Sequence, residues 1–312
     1  MIKLKSRVFF LNVAGQRGSK LKIRAIVWLS VLVTVSLAAS AQTAELKSAA
    51  IDGFNRYVEL TEQRINEQIQ SGQFLWVDTL PAREPDEVYA RLREGEVVDR
   101  KLETRDQGRT IETPHAMIHD WVSLVFVPGA NLQGVKALFQ DYDNHYRYYG
   151  PEVARSKVLS RQGDDFKIYL RMRKKKVVTV VLNGNFDVHY NQLDAQHLMV
   201  TSYSTRIAEV ETPGTPEEHE LPVGNDSGFM WRSNSYWWAE EKDGGVYVQC
   251  ETVTLTRDIP LGLKWLTEFF VDSTSKEFLN KMMVDMRKGV EKTQSSRLKA
   301  DETESIIRSV SG

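Results

Sequence analysis

The stretch from Gly228 to Val290 limits the fold more than any other part of this chain. Phe229–Lys242 and Val246–Asp258 are aromatic and β-branched runs joined by Asp243-Gly244-Gly245. Residues of that kind accept the positive φ angles of a tight hairpin, so the spacing predicts two long antiparallel strands. Beyond Pro260 the period changes. Leu279, Met282, Met283, Met286 and Val290 fall at i, i+3, i+4, i+7 and i+11, which is one face of a helix. Strands followed by a striped terminal helix predict a sheet that curves around that helix, with room for a cavity between them.

Upstream the pattern divides the chain. Residues 1–41 hold seven basic side chains and no acid, and Ala25–Ala39 is an apolar run followed by Ala39-Ser40-Ala41. A charged region, an apolar core and a small-x-small site together read as a signal peptide, 1–41, removed on export to the periplasm or outside the cell. The apolar run falls short of the roughly 20 residues a spanning helix needs. The long lead before Leu21 fits a start at Leu21. Beyond residue 41 the chain has 34 basic against 42 acidic side chains, a net charge of −8. An acidic body argues against nucleic acid as a partner, since that needs a broad basic face. Cys250 is the single cysteine, so stability must come from the core and not from an internal disulfide. In a strand it reads as a small buried hydrophobe.

Residues 42–113 read as a helical extension packed on the main body. Ile51, Phe54, Val58, Ile65 and Ile69 form a helical stripe that Gly72 stops. Phe74–Val77 is an extended apolar patch, Pro85 opens a short helix ended by Gly95, and Val97–Leu102 has strand character. The body, 114–292, starts with a strand at Met117–Val127 and a helix capped by Asn131. A second short helix lies in 141–149. Strands follow at Val153–Arg161, Phe166–Arg173, Val177–Tyr190 and His197–Val210. Glu211–Gly228 is a long Pro/Gly-rich loop, read as a mobile rim near a pocket mouth. Residues 293–312 are a polar tail.

The segment VPGANLQGVKALFQDYDNHYRYYGPEVARSKVL (127–159) and the closing VYVQCETVTLTRDIP with its helix resemble the START-like, helix-grip superfamily. That superfamily includes steroidogenic-acute-regulatory-type lipid-transfer domains, coenzyme Q-binding proteins and polyketide cyclases. The resemblance covers about 115–292. It implies an α+β fold, a curved antiparallel sheet of about seven strands around a long C-terminal helix, and a pocket for a lipid, sterol, isoprenoid or aromatic ligand. Non-enzymatic binding or carriage of a hydrophobic small molecule is the function this favours. A cyclase or hydrolase on the same scaffold, or an interaction protein with a filled pocket, are the alternatives.

Strand alternation supplies the pocket residues. Phe166, Ile168, Leu170 and Met172 share one face, as do Val178, Val180, Leu182, Phe186 and Val188. Trp231 and Trp237 are expected on one face, opposite Arg232 and Glu240. Phe139 and Tyr146 would contribute from the helix pair, Met282 and Met286 from the terminal helix, and Arg206 could meet a ligand headgroup. A cyclase would draw its acid or base from Tyr146, Tyr149, His189 or Arg206. No catalytic signature or cofactor motif stands out. His115, His119 and Asp120, like Asp141, Asp143 and His145, lack a third metal ligand at a diagnostic spacing. The basic corner Arg171–Lys176 could touch an anionic membrane surface transiently. Oligomeric state is not written in the sequence.

Overall fold

The computed structural model describes residues 44–175, 179–258 and 273–310. The expected signal segment, the corner at Lys176 and the turn after Pro260 lie outside the described residues. In chain order the elements are α1 (Ser48–Gln70), α2 (Glu84–Arg93), β1 (Val98–Lys101), β2 (Ala116–Pro128), α3 (Leu132–Gln140), α4 (His145–Tyr148) and β3 (Val153–Gln162). They continue as β4 (Asp165–Lys175), β5 (Thr179–Gln192), β6 (His197–Glu211), β7 (Arg232–Lys242), β8 (Gly245–Arg257) and α5 (Ser273–Val310).

The hairpin expected from Asp243-Gly244-Gly245 forms. Lys242 pairs with Gly245, and Asp243 and Gly244 have φ of 55° and 73°. Two positive φ angles in a two-residue loop are what a type I′ turn requires. From this hairpin an antiparallel sheet grows in the order β1-β2-β8-β7-β6-β5-β4-β3. Eight strands follow this path and the short His219–Glu220 adds to β6 off it, making nine among the described residues where about seven are expected. The other addition is β1, which comes from the 42–113 region and pairs with β2 from Trp121 to Leu124.

Alternation gives this sheet two apolar faces at its centre, and each is covered. Val125 and Val127 on β2, with Val246, Val248 and Cys250 on β8, point to an inner face against Leu138 and Phe139 of α3 and Leu279, Met283, Met286 and Val290 of α5. The intervening Val122, Leu124 and Phe126, with Tyr247, Val253 and Leu255, point to the outer face. There Phe54 and Ile65 of α1, Leu75–Val77, and Val88 and Leu92 of α2 cover them.

The first turns of α5 tie together the two edges of the sheet. Lys276 Nζ lies 2.9 Å from Asp99 of β1, and Asn280 donates to the same carboxylate at 3.1 Å. Lys281 Nζ lies 3.2 Å from Glu152, just before β3. Deeper along α5, Gly289 lets the helix approach α3, since a Cβ there would stand 2.6 Å from Leu138 Cδ1. The helix continues to Val310, through the stretch expected to be a polar tail. Glu, Lys, Gln, Arg and Ala are strong helix formers, and no Gly or Pro interrupts 291–310.

Two local readings change for physical reasons. On α1 the buried line is Ala50, Phe54, Tyr57, Thr61, Ile65 and Gln68, with Ile51, Val58 and Ile69 half-buried at its margins. The polar members are buried because they have partners. Tyr57 Oη donates to Asp120 at 2.9 Å, Thr61 shares a hydrogen bond with Thr104 at 2.8 Å, and Gln68 donates to the Phe74 carbonyl at 3.2 Å. The patch at Phe74–Val77 is not extended throughout. A 3₁₀ turn begins at Trp76, whose amide donates to Gln249 at 2.6 Å.

If α1 is part of the core, its central aromatic should matter as much as one inside the sheet. Phe54 is 2% exposed. Phe54→Ala should cost about 3–5 kcal/mol, read from the urea midpoint at unchanged slope. An unaltered midpoint would show that α1 adds nothing to the cooperative unit.

Candidate functional site

Burial on the inner face changes along the strands. Where β2 and β8 approach α3 it is closed, with Val127, Val135 and Val246 fully buried. Toward the other end Trp121, Leu170, Met172, Trp237 and Met282 pack on the same cluster but are only partly buried. The register aligns this opening into rows. Trp121 pairs with Thr252, Thr252 with Ser235, Ser235 with Ser202 and Ser202 with Val188. Their flanking residues are fixed to the outer face: Asp120 by Tyr57, and Tyr203 and Tyr236 by hydrogen bonds of 2.9 Å to Glu62 of α1. The row itself therefore faces inward. A separate hollow of about 290 Å³ lies at the start of α5, its described lining being Lys276, Glu277, Asn280 and Lys281.

At the closed end aromatic groups fill the space. Tyr142 and Tyr190 share a hydrogen bond of 2.7 Å, and Phe166 stacks against both rings. Burial raises both tyrosine hydroxyls well above their usual range. His145 sits under the same layer, held by the Leu138 and Phe139 carbonyls. Burial lowers its pKa to about 4, so it is neutral at physiological pH. Cys250 is a buried free thiol whose pKa burial raises, with Glu251 adding to the effect.

The structure gathers Phe139, Phe166, Ile168, Phe186 and Met286 in the inner core, with Leu170, Trp237 and Met282 at its open end. Phe139 meets Trp237 edge-on at 5.1 Å. Three expected residues lie elsewhere. Tyr146 is 40% exposed, with the Arg147 guanidinium 5.4 Å from its ring. Arg206 pairs with Glu220 on the outer face, because a register shift in β6 between Ser204 and Arg206 resets the alternation. Trp231 belongs to the outer cluster and not with Trp237. It precedes β7 and is held by its indole donating to Asp226 at 2.9 Å, so the strand period does not reach it.

The loop 211–228 also differs from its expected place. His219–Glu220 pairs with β6, Glu218 meets Arg171 at 2.9 Å, and Asn183 donates to Glu220 at 2.7 Å. These anchors are on the outer face, away from the inner opening. Arg171 of the basic corner is thereby neutralised. Of the four acid–base groups considered for a cyclase, Tyr149 alone reaches the inner core; His189 is exposed and paired with Asp165 at 2.7 Å.

The outer face carries its own polar cluster. Asp120 and Glu251 are both buried, next to Tyr57 and to Arg64, which pairs with Glu251. Burial raises the Asp120 carboxyl well above the usual range, and the Glu251 charge adds to this. Glu251 is also raised by burial, opposed by Arg64. Beside them a cleft of about 490 Å³ is lined by Arg64, Gln68, Gln73, Trp76 and Thr104, among others. Its lining mixes charged, amide and hydroxyl side chains with Trp76 and Leu102, a more polar setting than the inner core. What the inner site has and sequence reasoning missed is the hydroxyl row Thr252, Ser235 and Ser202. The signal was present as Ser-x-Ser and Thr-x-Thr alternation in SNSYW, TVTLT and SYS.

No family model and no curated protein matches the chain. Among solved structures it is similar in fold to a STAR-related lipid transfer protein from Xanthomonas axonopodis, at 17% identity and TM-score 0.38, over 56% of this chain and 96% of that one. Human STARD10 is similar at 14% identity and TM-score 0.42, over 71% and 84% of the two chains. The Zhui aromatase/cyclase of Streptomyces sp. R1128 is similar at 11% identity and TM-score 0.37, over 56% and 94%. These low scores leave the chemistry of the site to be read from its own residues.

The contrast between closed and open ends can be measured. Met286 is 0% exposed, so Met286→Trp should overpack and destabilise by about 1–3 kcal/mol. Met282→Trp, at the half-buried end, should leave the melting temperature close to the parent's. Equal melting of both variants would remove the distinction.

The outer carboxylates predict a pH effect. A raised carboxyl contributes stability that is complete below its unfolded pKa of about 3.9 and is lost as pH rises through the folded value. Asp120→Asn keeps an acceptor for Tyr57 and cannot ionise. Its urea midpoint should therefore improve progressively relative to the parent's as pH rises above about 3.9. A constant difference would show that Asp120 titrates as an ordinary carboxyl.

Proposed function

We propose that this chain binds a hydrophobic small molecule without covalent chemistry, between the inner face of the sheet and α5. One observation carries the reading. Of the partly buried apolar side chains packed on the inner core, Trp121, Leu170, Met172, Trp237 and Met282 belong to the inner face and α5, the others being Val97, Tyr148 and Val158. Scattered apolar exposure is ordinary, but several partly exposed apolar side chains grouped on one covered face support a ligand site there. Met282 and Met172 suit such a wall, since an unbranched side chain adapts to ligands of different outline. Lipid, sterol and isoprenoid skeletons are the class that fits. Carriage would require export as the sequence expects, and we place the protein in the periplasm or outside the cell on the strength of residues 25–41.

Native mass spectrometry of the full chain, purified from cells that make and export it, should show an added mass that organic extraction removes. Mapping the N-terminus of the same preparation should find it beyond Ala41. Spectra of empty protein, together with no displacement of an apolar fluorophore by any member of a lipid panel, would overturn the binding reading. A mature N-terminus before residue 25 would overturn the export reading.

A further inference from the structure

We infer that the ligand carries oxygen atoms along one edge, as a polyoxygenated ring system does, and is not a plain hydrocarbon or a simple acyl chain. This rests on the reading of the inner face as the ligand site and adds what the ligand must present to β2, β8, β7 and β6. The row Trp121–Thr252–Ser235–Ser202 crosses four adjacent strands in continuous register. At the usual strand spacing it spans roughly 14 Å. Three of its members are hydroxyls, all half-buried, and no hydrogen bond among the described residues engages their side chains.

Two further groups on β2 make the case stronger. The indole Nε1 of Trp121 and the hydroxyl of Ser123 are both buried and have no hydrogen-bond partner among the described residues. Ser123 is 0% exposed and lies two residues along the same inner face, opposite Cys250. A buried donor left without an acceptor costs on the order of 1–3 kcal/mol. An indole nitrogen can only donate, so what completes Trp121 must be an acceptor such as a carbonyl or hydroxyl oxygen. A pure hydrocarbon would dehydrate the whole row and satisfy none of it. Leu170 and Met172, which belong to β4 across the sheet, and Met282 of α5 supply the apolar surface for the ligand's other side.

The test uses a matched pair, androstanedione and its hydrocarbon parent androstane, each displacing the apolar fluorophore N-phenylnaphthylamine from the full chain. The dione should bind about tenfold more tightly, the gain expected from one or two neutral hydrogen bonds. Trp121→Phe removes the indole donor with a smaller ring, and separately the near-isosteric double variant Thr252→Val with Ser235→Ala removes two hydroxyls. Each should reduce the preference to about threefold or less, read as the ratio of the two affinities within each variant. Equal affinity of the parent protein for the two steroids, or a preference unchanged in both variants, would overturn the inference and leave the hydrophobic site standing. Failure of the fluorophore itself to bind would overturn both.

Discussion

A curved sheet has two edges, and here both are fastened to the same helix end. Lys276 and Asn280 reach Asp99 on β1, and Lys281 reaches Glu152 beside β3, so α5 spans the gap between the first and last strands. Each contact is modest taken alone, because partly exposed ion pairs are screened by water. Their geometric effect is larger. They fix where α5 begins relative to the sheet, and from there its stripe Leu279, Met283, Met286 and Val290 lies along the inner face. The inner core and its open end both follow from that placement.

The outer face imposes a second condition. Tyr236, Trp238 and Tyr247 point away from α5, and a sheet with such residues on its back needs another cover. Residues 44–101 supply it, with two helices and the edge strand β1. The cover is keyed in position by polar groups set into apolar surroundings: Tyr57 on Asp120, Arg64 on Glu251, and Glu62 between Tyr203 and Tyr236. Removing one partner of a buried charged pair is costly, so these contacts leave α1 little freedom to slide along the sheet. Among the described residues the sheet thus lies between two helical layers, with a polar cleft on the α1 side and the partly exposed apolar residues on the α5 side.

Much of this was legible locally. The β7–β8 hairpin was announced by its turn residues, and α5 by its spacing, because both depend on neighbours within a few residues. The α1 stripe was legible too, although the surface it covers was not, since nothing in Phe54 or Ile65 indicates a partner strand. Arg206 was misplaced because one register shift in β6 reverses which residues face inward. Trp231 was misplaced because period-2 reasoning was extended past the strand's first residue. The 211–228 loop looked unanchored because its anchors, Glu218 and Glu220, are charged groups whose partners Arg171 and Arg206 lie far off in sequence. The hydroxyl row failed to register for the opposite reason: Ser and Thr in strands are unremarkable until the register shows them side by side.

Cys250 sits in the inner layer between Ser123 and Trp237, entirely out of contact with solvent. It is the chain's only thiol. A thiol in that position is shielded and its burial disfavours the thiolate, so a labelling reagent can reach it only when the inner layer opens. The protein therefore contains a single-site clock for its own opening. Its labelling rate would report how often the inner layer parts, without any engineered probe and without disturbing the wall.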